Sequence, residues 1–317
     1  MTEKKAMRDA YGEALIALGN SDADVVVLDA DLSGSTRTAM FAKVFPNRFF
    51  NMGIAEQDMA GTAAGFSCVG KKPFMSSFAM FATGRAWEPI RNSICLPNLN
   101  VKVVCTHAGI TVGEDGACHQ ALEDISIMRV IPHMSVYVPA DYYEARALII
   151  ALNDKPGPVY VRLARAGSPV VFDENYQFNF AEYPVLQSGS DVSLFACGQM
   201  VPIAQKAAQT LQAAGISVDL ININTIKPLH GDQILKSVIK TGAVVTAEEH
   251  SILGGMGSAV SELLAKNAPT PIEFVGTQDV FGESGDGDLL MVKYGLSEAR
   301  IVEAAQKAIA RKANRPS

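Results

Sequence analysis

The sequence has no apolar run long enough to span a membrane, and no apolar signal core near its N-terminus. Cysteine is scarce: there are five, an odd number, and no two of them form a Cys-x-x-Cys pair. This pattern predicts reduced, mostly buried thiols in a cytoplasmic protein, with Cys118 as a candidate exposed exception. Charged residues make up only 19%, and the net charge of −6 provides no overall field that would attract nucleic acid.

What the sequence does contain is the balance of a compact two-domain protein. It has 317 residues, 48% of them hydrophobic, and no low-complexity tract or internal repeat. Short β-branched runs, such as residues 25–28, alternate with amphipathic stretches, such as residues 7–18. This alternation predicts an α/β fold with parallel sheets covered on both faces. The pattern loosens between residues 167 and 190, so we predict two doubly wound domains, residues 1–185 and 186–317.

Three loops carry polar residues that sheet packing does not require. They span residues 51–57, 76–81 and 106–120, and each follows a predicted strand. Open α/β sheets form their ligand crevices at the ends of strands. The third loop is also longer than most connections in compact domains, and it contains two histidines, three glycines and two acids. We therefore predict a functional role for these loops.

Three segments together resemble the transketolase family. They are Gly53-Ile54-Ala55-Glu56-Gln57, Gly113-Glu114-Asp115-Gly116-Ala117-Cys118-His119-Gln120, and Ala247-Glu248-Glu249-His250 followed by Gly254-Gly255-Met256-Gly257. Each is weak alone, but their order and spacing are specific. The resemblance covers nearly the whole chain, and it implies a thiamine-diphosphate pyrimidine-binding domain followed by a transketolase C-terminal domain. Such a chain is one half of a thiamine-diphosphate enzyme.

The resemblance gives Glu56 the role of the glutamate that activates the cofactor. A carboxylic acid hydrogen-bonded to the pyrimidine ring favours the imino form that removes the thiazolium proton. Phe78 and Phe81 match the aromatic residues that pack on this ring. Without the resemblance, Glu56 would be typical of a first helical turn and the two phenylalanines of ordinary core packing. Gly84 stands where a tyrosine is common in the family, which makes Trp87 a candidate to complete the pocket.

His107, Asp115 and His119 match polar active-site positions of the family. The resemblance implies that both histidines hydrogen-bond to substrate oxygens and assist proton transfer, and that Asp115 recognises the hydroxyl next to the carbonyl. A histidine that is neutral near pH 7 both donates and accepts protons, as ketol transfer requires. Metal binding and surface capping are the alternatives, but no third His or Cys has a suitable spacing for a metal site.

Arg8, Ser35 and Arg165 match positions that hold the terminal phosphate of a sugar phosphate. Arginine forms bidentate contacts with phosphate oxygens, and serine adds a hydroxyl. Taken singly, each arginine is typical of a solvated surface and Ser35 of a turn. The prediction therefore depends on the three residues meeting in one place.

Gly285-Asp286-Gly287 resembles the start of the family motif that binds the metal and the diphosphate. It lies near the C-terminus, in the second predicted domain, and its neighbours resemble the family's C-terminal domain, so we predict a surface turn. The resemblance then implies that Mg²⁺ and the diphosphate are held by a partner chain. That partner is an N-terminal transketolase subunit, with two copies of each chain in the assembly.

The implied activity is the transfer of a two-carbon ketol unit between sugar phosphates. The alternatives are a subunit of an enzyme like deoxyxylulose-phosphate synthase, a β subunit like that of 2-oxo acid dehydrogenases, and a catalytically inactive scaffold of the same fold. The segment from Gly113 to Gln120, together with His107, favours transketolase over the other two enzymes. The presence of Glu56 and both histidines argues against a scaffold.

Overall fold

The computed structural model describes residues 3–313. The strands of the first part are β1 (Lys4–Ala6), β2 (Val25–Asp29), β3 (Phe49–Asn51), β4 (Lys72–Ser76), β5 (Lys102–Cys105), β6 (Ser135–Tyr137), β7 (Val159–Arg162) and β8 (Gly167–Pro169). Its α-helices are α1 (Met7–Ser21), α2 (Ser33–Thr36), α3 (Thr38–Val44), α4 (Glu56–Cys68), α5 (Trp87–Pro89), α6 (Asp124–Arg129) and α7 (Tyr142–Ala151). Short 3-10 turns cover Pro46–Arg48, Ile110–Asp115 and Leu152–Asp154, and π-helical turns cover Phe81–Arg85 and Ile90–Cys95.

The second part continues the alternation of strands and helices. Its strands are β9 (Val185–Gln187), β10 (Val192–Ala196), β11 (Val218–Asn222), β12 (Thr225–Lys227), β13 (Val244–Ser251) and β14 (Ile272–Thr277). Its helices are α8 (Met200–Ala213), α9 (Gly231–Thr241), α10 (Met256–Asn267), α11 (Gly287–Lys293) and α12 (Glu298–Ala313).

Two mainly parallel sheets organise these elements. The first has the order β12-β6-β7-β5-β4-β2-β3, and the second has the order β14-β13-β10-β11-β9. All pairs are parallel except those of the edge strands β12 and β9, which are antiparallel. A separate ribbon pairs β1 with β8. The predicted α/β fold with parallel sheets is confirmed.

The residue patterns of the helices and strands explain which of their side chains are buried. Every residue of β2 is buried, as its β-branched run predicts for a strand covered on both faces. The apolar stripe of α1 is buried as its three-and-four spacing predicts. Asp141 caps α7, because its Oδ1 accepts a hydrogen bond of 2.9 Å from the Glu144 backbone nitrogen.

The two sheets are joined by one strand and one buried carboxylate. Strand β12 leaves the second half of the chain and pairs with β6 at the edge of the first sheet. Glu144, which is fully buried on α7, accepts hydrogen bonds from the side-chain amides of Asn222 and Asn224. Burial raises the pKa of Glu144, while these amides favour its ionised form. Residues of the second predicted domain therefore complete the edge and part of the core of the first.

Two local predictions gain detail. Gly285-Asp286-Gly287 lies at the surface, with Asp286 exposed, and it begins a helix: Asp286 caps helix α11 through a hydrogen bond from the Leu289 nitrogen, and Gly287 packs against the backbone of Thr111. Cys118 is exposed, as expected, but Cys68 is exposed as well. Across residues 3–313, no helix combines the length and apolarity needed to cross a membrane.

Candidate active site

The loops predicted to carry chemistry meet at one edge of the first sheet. Strands β5, β4, β2 and β3 are neighbours and run parallel, so their carboxyl ends lie side by side. The segment before α4 follows β3, the Phe78 segment follows β4, and the long loop follows β5. This is the edge at which open α/β sheets hold their ligands.

Glu56 begins helix α4 with a side chain that is only 1% exposed. Its side chain does not cap the helix. Instead, both of its carboxylate oxygens lie 3.0 Å from Nη1 of Arg85. The interpretation of Glu56 as a simple first-turn acid therefore does not describe its contacts, because this carboxylate is directed into the protein.

Four aromatic rings lie together, and Arg85 connects this cluster to Glu56. The Phe78 ring stacks on His107 with centroids 3.7 Å apart, and it lies nearly parallel to Phe81 at 6.0 Å. The edge of His119 faces Phe81 at 5.1 Å. Phe78 is buried and Phe81 is half-buried. The structure thus brings two of the predicted loops into one aromatic cluster, with Phe81 at its more open side.

His107 is held as a buried, neutral imidazole. It is 2% exposed, its backbone adopts a left-handed φ of 58°, and Nδ1 lies 2.9 Å from Oγ1 of Thr106. Burial, followed by the nearby cations Arg8 and Arg165 and by His119, lowers the pKa of His107 to about 3. A neutral imidazole offers one donor and one acceptor at pH 7.

This depressed pKa predicts a loss of stability in acid. The unfolded chain binds a proton at His107 below the ordinary pKa of 6.5, whereas the folded chain does not until about pH 3. The free energy of unfolding should therefore fall as pH decreases from about 6.5 towards about 4. His107→Asn should make this fall shallower. Denaturant unfolding of both proteins at a series of pH values measures the difference, and equal slopes would show that His107 protonates freely in the folded chain.

The long loop keeps its shape through contacts with the second half of the chain. The Glu249 carboxylate accepts a 2.7 Å hydrogen bond from the Thr111 nitrogen, and it fills the space where a side chain at Gly109 would lie. Gly109 also has a φ of +87°, so glycine is required on both counts. The Gln120 amide donates to the carbonyls of Gly113 and Glu283. These contacts fix both ends of the loop segment that carries Asp115 and His119.

In the segment from Ala247 to His250, the carboxylates of Glu248 and Glu249 hold neighbouring backbone in place. Glu248 accepts hydrogen bonds from the backbone nitrogens of Met256 (2.7 Å) and Gly257 (2.8 Å), where a carboxylate satisfies the free N–H groups at the start of α10. A side chain at Gly255 would meet this carboxylate. The segment thus supports the active-site loop through Glu249 and orders its own helix through Glu248.

A second group of residues forms a basic region beside His107. Nη1 of Arg8 donates to the Ser35 carbonyl at 3.3 Å, while the buried Nε of Arg8 has no hydrogen-bond partner in the described part of the chain. Burial lowers the pKa of Arg8, and the nearby cations Arg37 and Arg165 add to this effect. Arg165 donates to the Val112 carbonyl at 2.7 Å. The three predicted phosphate-binding residues therefore converge, with an orphaned N–H among them.

Buried Asp29 shapes the segment that carries Ser35. Its carboxylate accepts hydrogen bonds from Oγ1 of Thr36 and Thr38 and from the Leu32 nitrogen. Arg37, which sequence reasoning missed, lies two residues after Ser35, and its Nε contacts Asp9 at 2.6 Å. The sequence feature that could have identified Arg37 is its position in the same short polar segment as Ser35.

The remaining predicted residues lie at the rim. Asp115 is exposed at the end of the 3-10 turn, and Nδ1 of half-buried His119 lies 3.1 Å from the Cys118 sulfur. Nε1 of Trp87, the candidate to complete the pocket, donates to the Ile127 carbonyl at 2.8 Å. Arg85 contacts the pocket directly, with its Cζ 5.4 Å from the Phe81 ring centroid.

The residues Glu56 and Phe81 fit the pyrimidine end of thiamine diphosphate. A flat heteroaromatic ring needs a stacking surface and a carboxyl group at its edge, and Phe81 and Glu56 provide both. Within residues 3–313, no group of three or more His, Cys, Asp or Glu side chains is placed to hold a metal ion.

Sequence comparisons agree with this arrangement. The family model described as transketolase, pyrimidine binding domain matches residues 3–169, and the one described as transketolase, C-terminal domain matches residues 181–301. A transketolase C-terminal section from Methanocaldococcus jannaschii is 50% identical over 96% of this chain and 97% of its own length. The 6-deoxy-6-sulfo-D-fructose transketolase subunit of a Clostridium species is 41% identical over 98% of this chain and 96% of its own length.

Two further comparisons bear on chain length and fold. The chain covers only 47% of a 1-deoxy-D-xylulose-5-phosphate synthase from Desulforudis audaxviator, which is 35% identical over 94% of this chain. A solved split gene transketolase, described as an inactive β4 tetramer, is 51% identical with a TM-score of 0.91, covering 97% of this chain and 99% of that chain. The chain therefore belongs to the transketolase family, of which it carries the pyrimidine-binding and C-terminal domains.

Proposed function

We propose that this chain is a subunit of a thiamine-diphosphate-dependent transketolase that transfers a two-carbon ketol unit between sugar phosphates. The observation that carries the proposal is the buried Glu56 carboxylate beside the Phe78–Phe81 pair, with His107 and the basic region around Arg8 at the same sheet edge. Incubating the chain with a partner subunit, Mg²⁺, a ketose phosphate and an aldose phosphate, and following the new ketose, tests it.

The roles of the residues follow from their positions. When bound, thiamine diphosphate supplies the nucleophilic carbon that carries the ketol unit. Glu56 holds a proton against the pyrimidine edge, and Phe81 stacks on its face. Neutral His107, together with His119, binds substrate oxygens and moves protons between them. Asp115 recognises the hydroxyl beside the carbonyl, and the buried Phe78 excludes water from one side of the reacting groups.

Phosphate recognition is assigned to Arg8, Ser35 and Arg165. We expect Arg8→Met to raise KM for a phosphorylated sugar by about ten- to a hundredfold, because hydrogen bonds from a charged donor contribute about 1.5–3 kcal/mol. The KM for the same sugar without phosphate should barely change. Steady-state kinetics with both substrates measures the difference.

The control for this experiment is Arg91→Met. Arg91 is exposed, and it hydrogen-bonds to the neighbouring Asn92. The Arg91→Met variant should leave the KM values for both substrates unchanged. Equal increases for the two substrates in Arg8→Met would remove the phosphate assignment and make a free sugar or a 2-oxo acid the better substrate.

A synthase of the deoxyxylulose-phosphate type is the second candidate, because relatives of that name are 35% identical across most of this chain. The identities favour transketolase, since two transketolase-named relatives are 50% and 41% identical to this chain and the synthase is 35% identical. Supplying pyruvate as the donor separates the two activities. It would be consumed by the synthase and not by a transketolase.

We propose that the diphosphate and Mg²⁺ are held by an N-terminal transketolase subunit in the cytoplasm, in an assembly of two copies of each chain. Two exposed apolar side chains next to the site support a docked partner. Ile54, 77% exposed, lies two residues before Glu56, and Phe281, 83% exposed, adjoins Gly282, which packs against Gln120. Large exposed apolar side chains beside a functional site are typical of a protein interface.

A further inference from the structure

The geometry points to Arg85 as an occupant of the pyrimidine site that must leave before the cofactor binds. In the chain without cofactor, its guanidinium pairs with Glu56 and covers Phe81, and so fills the position that the aminopyrimidine ring takes later. This inference rests on the proposed function, because it assumes that Glu56 and Phe81 receive that ring.

The contact with Glu56 uses the whole carboxylate. One nitrogen of Arg85 lies 3.0 Å from each oxygen, and no other hydrogen bond to the Glu56 side chain forms between residues 3 and 313. The Glu56 side chain is 1% exposed, so water has little access to it. A buried carboxylate without a partner is costly, and Arg85 supplies that partner while the site lacks its ligand.

The contact with Phe81 makes the guanidinium resemble the ligand. The Arg85 Cζ lies 5.4 Å from the centre of the Phe81 ring, within the range of a cation–π contact. A guanidinium is flat, stacks on aromatic faces and presents N–H donors at its edge. An aminopyrimidine is also a flat group with nitrogen atoms at its edge. Both groups therefore need the same two partners, a carboxyl oxygen and a ring face.

The two states of Glu56 exclude each other. Pairing with Arg85 requires the ionised carboxylate, whereas a hydrogen bond donated to a pyrimidine nitrogen requires the protonated acid. Cofactor binding must therefore separate the Arg85–Glu56 pair, and Glu56 must take up one proton from solvent, which forms its O–H bond. No other covalent bond forms or breaks in this exchange.

Arg85 is placed so that it can leave. Its side chain is 53% exposed, so its charge reaches water by rotation of the side chain. Its backbone stays anchored, because Nε2 of Gln57 donates to the Arg85 carbonyl at 3.0 Å. Arg85 also ends a π-helical turn that begins at Phe81, and such turns are frequent at functional sites.

The test compares Arg85→Met with the control Arg91→Met in the complete complex with partner subunit and Mg²⁺. Removing a competitor should lower the Kd for thiamine diphosphate, measured by titration calorimetry, by about tenfold. Arg91→Met should leave the Kd unchanged. An unchanged or higher Kd for Arg85→Met overturns the inference, and a higher Kd would identify Arg85 as a cofactor ligand instead.

A second measurement separates this role from a merely structural one. In the free chain, Arg85→Met should lower the thermal midpoint, because it leaves Glu56 unpaired, and Glu56→Gln in the same chain should restore it. A structural role alone would lower the midpoint without lowering the Kd. If wild-type complex binds the cofactor and Glu56→Gln has full activity, then the proposed function fails, whatever Arg85 does.

Discussion

Replacing Glu56 with alanine should remove nearly all ketol transfer while the chain stays folded and assembled. Proton transfer by a positioned side chain contributes about a hundred- to ten-thousandfold to a reaction rate. Glu56 is buried, and we assign it to the pyrimidine ring, so its loss should reduce turnover by about a thousandfold. The fold should survive, because the alanine keeps the helix and the partner of the lost carboxylate, Arg85, is half-exposed.

Glu56→Gln sharpens the same experiment. Glutamine keeps the size of the side chain and can still donate a hydrogen bond, but it cannot release a proton at neutral pH. We expect its turnover to be nearly as low as that of the alanine variant, with a cofactor Kd closer to wild type. Circular dichroism and turnover per bound cofactor are the measurements. Near-normal turnover of the alanine variant with bound cofactor would refute the assignment, and it would favour the inactive-scaffold alternative.

Arg85 contacts both Glu56 and Phe81, but the sequence analysis did not identify it. Glu56, Phe78 and Phe81 were named because short motifs carry them. Arg85 lies 29 residues beyond Glu56 in the sequence, and its neighbours are typical of any helical turn. No periodicity marks a pair of this kind, because the contact forms between the start of helix α4 and the end of a π-helical turn.

Nonlocal pairing also limited the prediction of the fold. The parallel sheets followed from the alternation of strands and helices, which is a local pattern. Strand β12, in contrast, has only three residues, and its partner β6 lies almost ninety positions earlier in the chain. The hydrogen bonds between Glu144 and Asn222 are of the same kind. From sequence position alone, such residues are assigned to the second domain. In the structure they pack against the first sheet.

The conformation of the long loop, residues 106–120, also depends on residues that are distant in the sequence. The loop was predicted to be functional from its length, histidines and glycines. Its conformation depends on Glu249 and on the Glu283 carbonyl, both from the second half of the chain. The resemblance marked residues 247–250 only as a family feature. In the structure, Glu249 binds the Thr111 nitrogen, and Glu248 binds the N-terminus of α10.

The chain alone should be inactive, and it should bind thiamine diphosphate poorly. Most of the cofactor's charge lies on its diphosphate, and a divalent cation with oxygen ligands neutralises such a group. The residues assigned to the cofactor in this chain serve the opposite, pyrimidine end. Stacking on Phe81 and a hydrogen bond to Glu56 contribute a few kcal/mol at most, which does not exceed the cost of association, so these contacts alone do not hold the cofactor.

The partner subunit should therefore restore both binding and activity together. Cofactor titration and a ketol-transfer assay of the purified chain, with and without the partner and Mg²⁺, measure this. A relative 51% identical to this chain is described as an inactive β4 tetramer, so a self-associated chain is the natural control. Activity should appear only when partner and metal are both present, because we assign the diphosphate site to the partner. Tight, Mg²⁺-dependent binding and full turnover by this chain alone would refute the division of the cofactor site between two subunits.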